Sequence, residues 1–208
     1  MSTDWLPPLI TLGSCSGDWT RYVEEVYAQF KLDFIDSRPV YQGTRLGLRK
    51  HPVVQGKETT FWHLISEGEN EEERTPDLRR CECIAWVRPI IEQAGKRKDI
   101  KIWKQERSGK TNIAIALDDF SYVVFLGERT SDTGNYLIPL TAYPVERQKR
   151  RDKYRKEWEE YERKQLQTQN AAPPKCEKEK APPTEAKEQS KTEKPPERPM
   201  PPLHRDGI

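Results

Sequence analysis

The chain has 208 residues, 34% hydrophobic and 34% charged, with a formal net charge of +2. That is too polar for one compact domain along its whole length, and no apolar run reaches the roughly 18 residues of a membrane-spanning helix, so no membrane partner is expected. A near-neutral net charge also excludes nucleic-acid binding through overall charge, so any such binding has to be local.

Residues 1–15 carry Pro7-Pro8 and two apolar pairs and are expected to form an extended arm. Ser16-Gly17-Asp18 offers helix caps, and Trp19, Val23, Val26, Tyr27 and Phe30 follow at helical spacing, which predicts a helix ending near Phe30. Leu32 to Ile35 reads as a short strand or extended segment. Residues 40–60 are broken by Gly43, Gly47, Pro52 and Gly56. Thr59 to Ser66 is β-branched and aromatic and is expected to be a strand leading into the acidic stretch at 67–73.

Thr75-Pro76-Asp77 has the marks of a helix start, and the helix is expected to run to about Ala94, with Gly95 beyond its end and a kink or break at Pro89. Leu78, Cys81, Ile84 and Ala85 would be its buried stripe, which makes Cys81 a small core residue. The period then changes. Ile100–Trp103, Thr111–Leu117, Phe120–Leu126 and Tyr136–Tyr143 predict four strands joined in a meander, with Ser108-Gly109-Lys110 and Asp118-Asp119 as tight turns. A last helix is expected over about Val145 to Leu166, with Tyr154, Trp158 and Tyr161 as an aromatic stripe that docks on the domain. Residues 165–208 are Lys, Glu, Pro, Thr and Gln with four Pro-Pro pairs, and they cannot bury enough apolar surface to offset their entropy. The expectation is an α+β domain over 16–164, with helices packed on a four-stranded antiparallel meander, a charged C-terminal helix and a disordered tail.

The four cysteines, Cys15, Cys81, Cys83 and Cys176, fit no zinc spacing and point to reduced thiols in a cytoplasmic protein. The N-terminus lacks the basic-then-apolar order of a signal peptide. The basic run at 147–156 either attracts an acidic partner such as RNA or forms a solvated helix face balanced by Glu157, Glu159, Glu160 and Glu162.

Chemistry-bearing residues concentrate between positions 63 and 80. His63 and Glu67 are four apart, and on a strand they would share a face. An imidazole with a nearby carboxylate can take a proton from a ribose 2′-hydroxyl or give one to a leaving oxygen. The alternatives are a structural histidine among Phe61, Trp62, Leu64 and Ile65, and a glutamate that merely opens an acidic loop. Arg74, Arg79 and Arg80 flank the expected helix start, where free N–H groups and guanidinium forks both suit phosphate; the competing reading is pairing with Glu71–Glu73 and Asp77. Thr141 and Tyr143 close the last strand and could contact phosphate, and Arg107 and Arg129 are further clamp candidates. No phosphate-binding Gly-rich loop, dinucleotide fingerprint, His-Glu-x-x-His motif or carboxylate cluster suited to a metal pair is present, so neither a metal nor a cofactor is expected.

The order Phe61-Trp62-His63-Leu64-Ile65-Ser66-Glu67, Glu73-Arg74, Pro76-Asp77-Leu78-Arg79-Arg80-Cys81, Ile84-Ala85-Trp86, Tyr136-Leu137 and Thr141-Ala142-Tyr143 resembles phage- and plasmid-borne proteins of the barnase–EndoU–colicin–RelE-like nuclease superfamily. The resemblance covers about residues 40–162. It implies helices before a four-stranded antiparallel sheet and a metal-independent endoribonuclease, of the kind that mobile elements use as toxins or effectors. RNA would then be the substrate, and an inhibitor or immunity protein a further partner. It makes His63, Glu67, Arg74, Arg80, Thr141 and Tyr143 the candidate lining of an active site. The alternative expectation is a non-catalytic RNA- or protein-binding module whose tail recruits partners.

Overall fold

The computed structural model describes residues 4–68, 73–107, 109–132 and 134–171. Three layers account for them. Helices from the N-terminal half cover one face of a four-stranded sheet, and the C-terminal helix covers the other.

Helix α1 spans Trp19–Phe30, and its Asp18 cap accepts a hydrogen bond from the Arg21 N–H at 3.1 Å. Tyr22, Val23, Val26 and Phe30 are buried, while Trp19 stays 40% exposed at the helix start. The segment expected as a strand at 32–35 instead continues as a π-helical turn, Lys31–Asp36. Its register buries Phe34 against Phe30, with ring centroids 5.2 Å apart, and turns Leu32 outward. A short hairpin of β1 (Val40–Tyr41) and β2 (Thr44–Arg45) follows.

The second correction is larger. Thr59–Ile65 is helix α2, not a strand. Phe61, Leu64 and Ile65 fall at i, i+3 and i+4 and are all buried, so helical amphipathicity outweighs β-branched propensity. Thr59 Oγ1 donates to the Pro52 carbonyl at 2.7 Å, and the Arg49 N–H donates to Thr60 Oγ1 at 2.8 Å. These contacts tie the irregular segment before α2 to its first turn.

The helix ends at Ser66, where a two-residue ribbon begins: β3 (Ser66–Glu67) pairs antiparallel with β4 (Thr75–Pro76). Gly68 turns this ribbon at φ +136°, and a Cβ there would sit 3.1 Å from the Arg74 Cα, so glycine fits both the backbone and the space. The expected helix start at Thr75-Pro76 is therefore strand. Helix α3 is short, Leu78–Glu82, with Asp77 as its cap. The break expected at Pro89 comes earlier, at Cys83, through a 3-10 turn over Ile84–Trp86. Pro89 lies in the first turn of α4 (Val87–Gln93), where a missing N–H costs nothing. Gly95 follows at φ +81°, as the sequence leads one to expect.

The sheet is a meander in the order β5 (Ile100–Arg107), β6 (Lys110–Leu117), β7 (Tyr122–Ser131) and β8 (Gly134–Pro144), all antiparallel. Ile113, Ile115, Leu117, Tyr122, Val124 and Leu126 face the core built with α1–α4. Ala114, Ala116, Val123 and Phe125 point the other way and form a second core with Trp103, Phe120 and Tyr154. The alanines leave room for these large rings beneath α5, so both faces of the sheet are buried.

Helix α5 spans Gln148–Ala171. Residues 165–171, assigned to the tail from composition, belong to its last turns, and the rest of that tail lies outside the described residues. The N-terminal segment is not a free arm. Leu6 is buried, Ile10 N–H donates to the Glu82 carbonyl at 3.1 Å, and Trp86 Nε1 donates to the Pro7 carbonyl at 2.8 Å. Cys15, Cys81 and Cys83 are buried free thiols, and burial pushes Cys81 and Cys83 each up to about 12, which fits space-filling core residues. Among the described residues no helix is long and apolar enough to cross a membrane.

Candidate functional site

Strand β8 is an edge strand, and three elements gather along its C-terminal half. Helix α3 packs against it, Arg80 ties the β3–β4 ribbon to it through Ser66 and Thr141, and α5 starts just beyond it. A bulge in β8 sets the register there: Phe125 pairs with Thr141, while the next residue of β7, Leu126, pairs with Pro139. Leu140 is thereby looped out, packing where Gly127 leaves space. Thr141 and Tyr143 then follow with side chains on the same face of the strand.

Arg80 connects these pieces. Its Nη1 donates to the Ser66 carbonyl at 2.7 Å and to Thr141 Oγ1 at 3.2 Å. Its guanidinium carbon lies 4.9 Å from the centre of the Tyr143 ring. Burial pulls its pKa down, opposed by the charges of Asp77 and Glu67. Both hydrogen-bonding partners are neutral oxygens, and among the described residues no carboxylate forms an ion pair with it. The result is a half-buried cation, fixed in direction, whose charge is not cancelled by direct contact.

Tyr143 is held on its other contacts by α5. Its hydroxyl lies 2.6 Å from the Tyr154 hydroxyl, and the Arg150 guanidinium carbon sits 5.4 Å from its ring centre. Burial raises the Tyr154 pKa well above the ordinary tyrosine range, so that hydroxyl stays protonated.

These groups line an open cleft of about 1220 Å³. Glu67 and Arg80 form one wall, Tyr143 the floor, and Arg147, just before α5, with Arg150 and Lys153 on α5 the other wall. Several of its carboxylates are committed elsewhere. Asp77 accepts from the Arg80 backbone N–H at 2.8 Å, and Glu157 accepts from Gln105 Nε2 at 2.9 Å. The phosphate site expected at the free N–H groups of a long helix is thus filled by the Asp77 carboxylate, and α3 is too short to offer one. What remains directed at the cleft is largely cationic, with the exposed carboxylate of Glu67 among it.

The expected site residues divide. Glu67, Arg79, Arg80 and Tyr143 line this cleft, and Thr141 anchors Arg80. Arg79 is at its exposed margin and pairs with Glu82 at 2.9 Å and Glu146 at 3.8 Å. His63 and Arg74 line a second cavity of about 810 Å³ together with Trp19, Trp62 and Lys57. The ribbon is the partition: Ser66 and Pro76, which pair with each other, line the second cavity, while Glu67 and Asp77 line the first. His63 and Glu67 do not share a face, because one is on a helix and the other on the strand that follows it.

Arg129 lies at the opposite end of the sheet, paired with Tyr136, seven positions from Tyr143 along β8 or about 23 Å at strand spacing. Its guanidinium donates to the Glu128 carbonyl at 2.7 Å, away from the cleft. Arg107 ends β5 at that same far end, and its side chain lies outside the described residues.

Arg150 lines the cleft and Tyr154 supports it through the Tyr143 hydroxyl, and neither was expected there. Their signal was in the sequence: the two are four apart on α5, in line with Trp158, so a helix whose aromatic stripe docks on the sheet must bring Arg150 down with it. The chain matches no family model, no curated protein and no solved structure.

Proposed function

We propose that the protein is a metal-independent endoribonuclease that binds single-stranded RNA in the cleft between α3 and α5. The observation that carries this reading is Arg80, a cation half-buried between two neutral oxygens, stacked on Tyr143 and unpaired with any described carboxylate. Such a group is ready to meet charge that develops on a phosphate, and it does not need to reorganise first.

In this account the scissile phosphate lies against Arg80, and Arg150 and Lys153 hold the neighbouring phosphates. Glu67 takes the proton from the 2′-hydroxyl as that oxygen attacks phosphorus. Arg80 stabilises the additional negative charge of the five-coordinate transition state. The account takes the Tyr154 hydroxyl as the hydrogen-bond donor to the Tyr143 oxygen, which leaves the Tyr143 proton available to the departing 5′-oxygen. The products are a 2′,3′-cyclic phosphate and a free 5′-hydroxyl.

The test is incubation of purified protein with single-stranded RNA in EDTA, with products resolved by end-group chemistry. Cyclic-phosphate ends made by the native protein and lost in Arg80→Ala support the account. RNA binding with a steep salt dependence and no cleavage would instead establish a binding module.

A further inference from the structure

We infer that the second cavity, beyond the β3–β4 ribbon, is a nucleotide subsite in which one base of the RNA strand stacks on tryptophan and its phosphate meets Arg74. This rests on the proposed function for the identity of the polymer, though not for the chemistry of the site.

Two indoles border the cavity. Trp62 is locked, because its Nε1 donates to the Val54 carbonyl at 3.0 Å and its ring packs 5.2 Å from Phe61. Trp19 sits at the first position of α1, 40% exposed, with its ring 5.6 Å from Tyr22. A rigid indole and an exposed one at the mouth of one concave site give a surface for a flat aromatic ring, whose affinity depends little on which base it is.

Cationic groups stand beside them. Lys57 is only 6% exposed, lies 5.0 Å from the Tyr27 ring centre and pairs with Glu24 at 2.5 Å, so the cavity wall holds a buried, built-in cation. Arg74 is different. Its Nε is the one buried side-chain nitrogen or oxygen among the described residues without a hydrogen-bond partner. Buried donors in folded proteins normally have partners, and an arginine left incomplete beside a cavity is short of an acceptor. Aromatic walls for a base next to an arginine whose Nε lacks an acceptor fit a nucleotide better than an apolar peptide.

The position of the cavity strengthens this. Ser66 lines it while the Ser66 carbonyl holds Arg80 on the other side of the ribbon. Two paired strands are only about 5 Å apart. A strand of RNA can therefore straddle the ribbon, with one phosphate at Arg80 and an adjacent nucleotide in the cavity.

The test uses the full-length protein labelled with nitrogen-15 and follows the six indole N–H signals, one per tryptophan. Trp19→Phe and Trp62→Phe assign two of them. Adenosine 5′-monophosphate and the other three nucleoside monophosphates are titrated to millimolar levels, with adenosine as the uncharged probe. The expected result is movement of the Trp19 and Trp62 signals and not of Trp103 or Trp158. The monophosphate should bind about tenfold more tightly than the nucleoside, the worth of one charge-assisted hydrogen bond. Arg74→Ala should erase that difference, and Arg74→Lys should restore part of it. Stationary Trp19 and Trp62 signals with all four nucleotides overturn the inference. So does equal affinity for adenosine and its monophosphate, which would leave an apolar pocket suited to a protein partner. The two proposals fail separately: indole shifts without RNA cleavage keep the subsite and reject the ribonuclease, and cleavage without indole shifts does the reverse.

Discussion

The Arg80 guanidinium carbon lies over the Tyr143 ring, 4.9 Å from its centre, although one residue sits on a five-residue helix and the other near the end of the last strand. The contact places a cation whose bonds are to neutral oxygens over an aromatic floor. A guanidinium stacks on such a ring while keeping its edge free for hydrogen bonds, which an ammonium cannot do.

Arg80→Ala is expected to lower kcat/KM for RNA by about 10²–10³, the range for removing one preorganised donor from a developing anion. Arg80→Lys should recover little of it, because an ammonium is a compact point charge without the planar fork of donors that a guanidinium presents to phosphate. Steady-state kinetics on both variants decides the point, with thermal melting to confirm that each is folded. Wild-type rates in Arg80→Lys would reduce the residue to a nonspecific charge.

Glu67 and His63 separate cleanly. Glu67→Gln should lower kcat about a hundredfold or more with KM little changed, as loss of a general base does. His63→Ala should leave kcat within a few fold and act on KM, because His63 lines the neighbouring cavity. The reverse pattern would move the chemistry across the ribbon to the imidazole.

The paired hydroxyls of Tyr143 and Tyr154 give a third expectation. Tyr143→Phe removes the proposed acid and should lower kcat about 10²-fold. Tyr154→Phe should have a smaller effect, about tenfold, since it removes only the bond that sets the Tyr143 proton. A substrate with a better 5′ leaving group should narrow both differences, and its failure to do so would remove the tyrosine pair from the protonation step.

A stability prediction comes from Asp33, which is 8% exposed. Burial raises its pKa, with the hydrogen bond from Gln29 at 2.8 Å and the Arg88 charge opposing. The folded state therefore favours the neutral acid more than the unfolded chain does. That contribution is present below the unfolded pKa and is lost as pH rises through the folded one. Asp33→Asn stays neutral and can still accept from Gln29. Denaturant unfolding should find it more stable than the native protein at neutral pH, with the gap closing in acid. A gap of the opposite sign would mean that the Arg88 charge outweighs burial.

Much of this fold was legible because the sheet strands have a clear period of two and strong turns, as in Ile113, Ile115 and Leu117 against Ala114 and Ala116. The covering of the second face was half legible: the alanines look like tolerated small residues until Trp103 and Tyr154 are seen to fill the space above them. Residues 59–66 misled because Thr59, Thr60, Phe61 and Trp62 favour strands locally, while the burial of Phe61, Leu64 and Ile65 requires a helix. That one change of period moved His63 off the face shared with Glu67. In the site, Arg80 and Tyr143 were found as residue types, but their meeting depends on a bulge at Leu140 and on a ribbon at Ser66, neither of which leaves a local pattern. Arg150 was hidden in a charge run that reads equally well as a solvated helix face.

We propose that the cleft in which Arg80 lies over Tyr143 cleaves RNA without a metal. The measurement that tests it most directly is the end-group analysis of single-stranded RNA incubated in EDTA with native protein and with Arg80→Ala. The account predicts 2′,3′-cyclic phosphate ends with the native protein and a loss of about 10²–10³ in rate with the variant. Intact RNA in the native reaction, or equal cleavage by both proteins, would contradict it.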